Sequence, residues 1–391
     1  MQRRRRAIVT SSSSRLRTLR REPENTMRLR LLTFFVAGLT FIAVSVNERT
    51  HAQGADRIVL ITVDGARTEE IFGGLDLEVL KSTIKEPARV EDSEAYRRYW
   101  AATPEERRKK LMPFFWSLVT EHGSIAGDRR AGSAVSLGNR HWFSYPGYSE
   151  ILLGQPHDAE IKSNDPIRNP YPTVLETIRQ RLNVPADKVA TFAGWGVFNA
   201  IVEHTEGATY VNAGVEDLKL PGDDVRLLNE LQRETTTPWD GTRFDAYTFR
   251  LAMKHLAAAR PRVLYLALDE TDDWAHDGRY ERVLETFART DSYFKELWTW
   301  LQSQPDYRGQ THVLITTDHG RGHTPKDWRD HGAKVPGSDE VWIAFASPRM
   351  AQRGVWRNQP PLSTSQVAAT LASWVGVDWN AERPAAGKPI R

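Results

Sequence analysis

The residues from His312 to His331 constrain this chain more than any others, because a buried strand there runs straight into a cluster of metal-ligand side chains. Val313, Leu314 and Ile315 form a short apolar, partly β-branched run. Thr316, Thr317, Asp318, His319 and Gly320 end it abruptly with polar groups and a turn former. In an open α/β sheet, ligands bind beyond the carboxyl ends of the strands. The chemistry is therefore expected at Asp318 and His319.

The same device recurs twice. Arg57 to Val63 is an apolar run of the kind buried on both faces of a parallel sheet, and it ends in Asp64 and Gly65. Alone, an Asp before Gly reads as a turn. Val263 to Leu268 ends in Asp269, Glu270, Asp272, Asp273 and His276. A solvated acidic loop explains neither the preceding strand nor the His placed one helical turn after Asp272. Further strands are expected at Val189 to Ala193 and Val341 to Ala346, with helices at Pro170 to Leu182, Phe244 to Ala259, Tyr280 to Leu301 and about Ser365 to Trp374. Strands alternating with helices argue for an α/β fold, a largely parallel sheet with helices on both faces. Residues 79–123 read as a charged helical insertion, in which Thr103, Pro104 and Glu106 form a helix start. Residues 207–240 read as a cap or irregular insertion over the site.

Processing explains the charge. The chain carries a net +3, but residues 1–52 hold eleven Arg against three Glu, so the remainder is acidic. Leu31 to Val46 is an apolar run preceded by Arg28 and Arg30 and followed by Thr50, His51 and Ala52, which reads as a secretory signal with cleavage near Ala52. An uncleaved anchor is the alternative, the run being slightly short of a bilayer span. On this reading residues 1–26 are expected to be an upstream or disordered extension before a true start at Met27, residues 27–52 the signal, and residues 56–391 a single domain of a periplasmic or extracellular protein. The basic character is no sign of nucleic acid, and no nucleic-acid-binding module is seen. There is no cysteine, which excludes disulfides, thiolate ligands and Cys nucleophiles. Any metal must be held by His and carboxylate.

Ser144, Tyr145, Pro146, Gly147 and Tyr148 lead into an apolar segment closed by Gly154. With Pro146 opening a helix and Gly154 ending it, Ser144 falls just before a helix N-terminus, where free N–H groups favour an alkoxide and a phosphate. A simple cap is the alternative.

Taken together, Asp64, Ser144, Asp272, His276, Asp318, His319 and His331 occur in the order, and at the strand ends, of the alkaline phosphatase superfamily. The chain most resembles the type I phosphodiesterase and nucleotide pyrophosphatase branch. That resemblance implies two divalent metal ions, zinc by preference with manganese or magnesium as alternatives. Asp64, Asp318 and His319 match the ligands of one ion, and Asp272, His276 and His331 those of the other. Ser144 matches the nucleophile, which also touches a metal, and Asn164 matches a phosphoryl-oxygen donor if one residue is deleted. His323 competes with His331 for the last ligand position, and the residues after His331 favour His331.

The resemblance implies a phosphatase or phosphodiesterase acting on a small-molecule phosphate ester through a phosphoserine intermediate. Departures bear on the substrate. Tyr145, Pro146, Gly147 and Tyr148 replace the sequence that commonly follows the diesterase nucleophile. Tyr148 also stands where sulfatases carry the Arg of their modification motif. A sulfatase-like or phosphonate hydrolase, and a catalytically silent envelope protein gripping a ligand with Trp142, Tyr145, Tyr148, Trp195 and Trp274, are the other readings.

Overall fold

The computed structural model describes residues 56–348 and 350–391. The readings on residues 1–52 lie outside the described residues. Among those described, no helix is long and apolar enough to cross a membrane.

Among the described residues eleven strands follow in chain order: β1 Arg57–Val63, β2 Ser124–Ala126, β3 Val135–Ser136, β4 Val189–Ala193, β5 Tyr210–Ala213, β6 Val263–Leu268, β7 Thr311–Thr316, β8 Glu340–Val341, β9 Ile343–Ala346, β10 Gly354–Val355 and β11 Leu362–Ser363. Eight form one sheet in the order β10-β2-β9-β7-β1-β6-β4-β5, and the other three make a small sheet, β11-β3-β8. The five strands from β7 to β5 are mutually parallel. Among the described strands of the large sheet, only β9 runs against its neighbours. The fold is thus the expected α/β class with a mostly parallel sheet.

Alternation along the central strands sorts the side chains into two cores. Val59, Ile61, Val63, Leu264, Leu266, Val313 and Ile315 face one way and meet Phe115, Trp116, Phe249 and Leu284. Ile58, Leu60, Val263, Tyr265 and Leu314 face the other way and meet Ile151, Leu152, Leu175, Ile178 and Leu371. A strand apolar at every position needs helices on both sides, and each such buried side chain contributes roughly 1.5–3 kcal/mol. The second core includes the helix that carries Ser144. Packing therefore holds the Ser144 segment against the sheet.

Local sequence sets the helix ends. Thr103 and Glu106 close a capping box at the start of helix Pro104–Leu111. Pro170 and Pro172 keep the next segment extended, and helix Val174–Leu182 begins only after Thr173, whose side chain caps it. Residues 207–240 are more ordered than an irregular cap: they contain edge strand β5 and helix Asp223–Glu234. Tyr210 to Ala213 is only four residues long, too short for its strand to stand out in the sequence. The expected strand at Val341 to Ala346 is split, with Val341 in the small sheet and Ile343 onward in the large one.

Candidate active site

Register brings the site together. Val63 pairs with Leu268 and Thr62 with Thr316, so β1, β6 and β7 end at one level. Asp64, the Asp269–Asp273 run and Asp318 consequently emerge along one sheet edge. Asp318 and His319 are fully buried and Asp64 nearly so. His319 Nε2 lies 3.3 Å from Asp64 Oδ1, 3.4 Å from Asp318 Oδ2 and 3.6 Å from Asp272 Oδ1. His276 Nε2 is 3.1 Å from Asp272 Oδ2 and 3.0 Å from His331 Nε2, and the His331 ring stacks on that of His319 at 4.0 Å.

Two close glycine contacts let these elements meet. Gly65 adopts φ +56°, and a Cβ on it would reach Asp272 Oδ1 at 2.4 Å. Its N–H donates to Asp318 Oδ1 at 3.1 Å. A Cβ on Gly147 would lie 2.2 Å from the Asp318 carbonyl oxygen, so the Ser144 helix rests backbone against strand end.

Helix Ser144–Leu153 begins at Ser144 itself, one step from the expected position before the helix, and ends at Gly154 in the left-handed region. Pro146 then occupies the first turn, where its missing N–H costs nothing. The preceding Phe143 is extended and offers no side-chain cap, and in the first turn the Tyr145 N–H is taken by Asn164, Pro146 has none, and the Gly147 N–H donates to the Phe143 carbonyl at 3.0 Å. Ser144 Oγ is 3.5 Å from His319 Nε2. Asn164 Oδ1 accepts the Tyr145 N–H at 3.0 Å, and Asn164 shares with Ser144 a cleft of about 220 Å³.

All seven residues singled out in the sequence meet here. Of the two competing histidines, His331 is in the cluster, whereas His323 Nδ1 contacts Glu69 Oε1 at 2.5 Å. His141 instead meets the Asp158 carbonyl at 3.0 Å.

Electrostatics show what the cluster lacks. Burial, reinforced by Asp272, pushes the Asp64 carboxyl well above the usual range. Burial and Asp64 do the same to Asp318. Burial opposes ionisation of Asp272 too, yet Arg321, His276 and His331 more than offset it and hold its pKa well below normal. Burial and the neighbouring His319 depress His331 to about 2. Asp64 Oδ1 and Asp318 Oδ2 are buried without a hydrogen-bond partner. Two groups, Asp64-Asp318-His319 and Asp272-His319-His331, bring ligand atoms within 4.8 Å of one another. Crowded carboxylates, neutral imidazole and orphaned oxygens fit divalent cations held by oxygen and nitrogen.

Several contributors escape sequence reasoning. The Tyr148 hydroxyl donates to Asp64 Oδ2 at 2.7 Å, and Thr271 Oγ1 donates to the Asp64 carbonyl at 2.5 Å. The buried Arg321 guanidinium pairs with Asp272 and also donates to its carbonyl at 3.1 Å. Tyr148 carried a signal, standing one helical turn after Ser144; Arg321 carried none beyond adjacency to Gly320.

Residues 158–360, just over half of the chain, match the family model of type I phosphodiesterase / nucleotide pyrophosphatase. The chain belongs to that family. It is a phosphodiesterase-like hydrolase of the alkaline phosphatase superfamily. No curated protein matches its sequence. A PafA alkaline phosphatase mutant is similar in structure, with TM-score 0.52, 10% identity, and coverage of 85% of this chain and 98% of that one. The phosphonate monoester hydrolase SpPMH from Silicibacter pomeroyi gives TM-score 0.50 at 12% identity over 82% and 73% of the two chains. The lipoteichoic acid synthase LtaP from Listeria monocytogenes gives 0.50 at 8% identity over 83% and 73%. At these identities the likeness concerns the fold. This phosphodiesterase-family chain thus shares its sheet with proteins named for different substrates.

Proposed function

We propose that the chain is an exported two-metal phosphoric ester hydrolase that works through a covalent phosphoserine on Ser144. The observation that carries this reading is Ser144 Oγ, at a helix N-terminus, 3.5 Å from the imidazole that both ligand groups share. Asp64, Asp318 and His319 would hold one ion, and Asp272, His276 and His331 the other. Two divalent cations, zinc by preference, neutralise phosphoryl charge and ease ionisation of a hydroxyl when bound.

The chain's own groups do the rest. The Ser144 hydroxyl gives its proton to solvent, Oγ forms the new bond to phosphorus as the bond to the ester oxygen breaks, and the departing alkoxide takes a proton from solvent. Water then displaces Ser144 and frees the phosphoryl group. The Asn164 amide, whose Oδ1 is held by the Tyr145 N–H, is suited to donate its Nδ2 hydrogens to a phosphoryl oxygen. Tyr148 and Arg321 hold Asp64 and Asp272 in orientation. Tyr148 also counts against a sulfatase: the position where that branch carries Arg bears a phenol already bonded to Asp64.

Chromogenic phosphate mono- and diesters and a phosphonate monoester, assayed at alkaline pH, test the reading. Ser144→Ala is expected to lower the best activity by several orders of magnitude with metal content and circular dichroism near wild type. Asp318→Ala is expected to lower metal content as well, with partial recovery in excess zinc. Wild-type rates in Ser144→Ala would sink the covalent route.

A further inference from the structure

The two ligand groups meet different surroundings. Asp64 Oδ1 and Asp318 Oδ2 are buried without a hydrogen-bond partner, so each carboxylate keeps an oxygen open to an ion. Asp272 is already engaged at both oxygens: Oδ1 is bonded to the Arg321 guanidinium, and Oδ2 lies 3.1 Å from His276 Nε2.

Arg321 is built into the structure. Its side chain is 1% exposed, and it donates to the backbone carbonyls of Arg329 and, at 3.1 Å, of Asp272. Gly65 covers it from the end of β1, where a Cβ would come within 2.8 Å of Arg321 Nε. Arg321 does not line the cleft that holds Ser144 and Asn164. Its charge is therefore out of a substrate's reach and acts on the centre through Asp272.

Charge then separates the sites. The Asp64-Asp318-His319 group brings two carboxylates and an imidazole, enough to neutralise one divalent ion. The second group brings one carboxylate, Asp272, among imidazoles, and the permanently protonated guanidinium already balances it. Asp273, the next residue, lines the cleft but belongs to neither group. A divalent ion beside Asp272 thus gains little neutralisation and is repelled by a fixed cation bonded to its own ligand. A phosphoryl group brings the missing negative charge.

We propose that Arg321 makes the two cation sites unequal: one ion resides at Asp64, Asp318 and His319, and the second is held tightly at Asp272, His276 and His331 only together with a phosphoryl anion. This inference rests on the two-metal hydrolase reading and adds an order of assembly to it.

Zinc binding by the full-length protein tests it, measured as metal content and affinity in chelator-buffered zinc with and without excess inorganic phosphate. Wild type is expected to bind one ion about 100-fold more tightly than the second, and phosphate to tighten the second about 10-fold or more, with a smaller effect on the first. Arg321→Gln is expected to tighten the second ion about 10-fold or more without phosphate and to shrink the phosphate effect, with Arg321→Lys staying closer to wild type. A guanidinium that only orients Asp272 predicts the reverse, a weaker second ion in Arg321→Gln. That result overturns the inference, as do two ions of equal affinity in wild type or a second ion indifferent to phosphate. The wild-type titration decides by itself if Arg321→Gln does not fold. Because the readout is binding, equal ions in an active enzyme overturn this inference alone, whereas unequal, phosphate-linked ions in a protein that turns over no ester support it while the hydrolase reading fails. Zinc bound at neither site overturns both.

Discussion

Tyr148 shows how one hydroxyl supports a site without touching the reacting atoms. Its donation to Asp64 fixes a carboxylate whose other oxygen is left for a ligand. We expect Tyr148→Phe to fold normally and to bind zinc about 10- to 100-fold more weakly, measured by competition with a chromophoric chelator. Unchanged affinity would show the bond to be incidental. Asp245 offers a second residue-scale test away from the ligands. Burial, then Glu270, raises its carboxyl to about 8, whereas an unfolded Asp titrates near 4. The folded protein therefore binds more protons between those values. Stability from this group is full below about pH 4 and is lost as pH rises through about 8. The melting temperature of Asp245→Asn minus that of wild type should accordingly become more positive from pH 4 to pH 8. A difference that does not change with pH would refute the assignment.

At the scale of elements, the contact between helix Ser144–Leu153 and the end of β7 decides where Ser144 stands. Gly147 permits that contact, because a methyl group there would lie 2.2 Å from the Asp318 carbonyl oxygen. Backbone cannot swing aside as a flexible side chain can. We expect Gly147→Ala to lower stability by about 1–3 kcal/mol through overpacking, read from the urea midpoint, and to reduce activity more than stability alone explains because Ser144 moves with its helix. A stability equal to wild type would mean the contact relaxes at no cost. Glu150, on the same helix, accepts from Gly138 N at 2.8 Å and from Thr364 Oγ1 at 2.8 Å. The helix is thus tied to two distant segments as well as to the sheet.

For the whole molecule, the apolar Leu31 to Val46 run behind Arg28 and Arg30 leads us to expect export with cleavage near Ala52. N-terminal sequencing of secreted or periplasmic protein would check this; an intact Arg28 to Val46 segment would indicate an anchor. The sequence by itself determined the alternation of strands and helices, because apolar runs in β1, β6 and β7 are long enough to require burial on both faces. It also made the acid and His residues at those strand ends legible as a group, since polar side chains directly after a buried strand have few places to go but the sheet edge. Local pattern could not reveal the edge strand Tyr210–Ala213, whose pairing depends on β4, nor the antiparallel place of β9 between β2 and β7. Nor could it find Arg321 beside Asp272 or the bond from Tyr148 to Asp64. Those depend on register and on helix-to-sheet approach, contacts between residues far apart in the chain that only tertiary packing brings within a few ångströms.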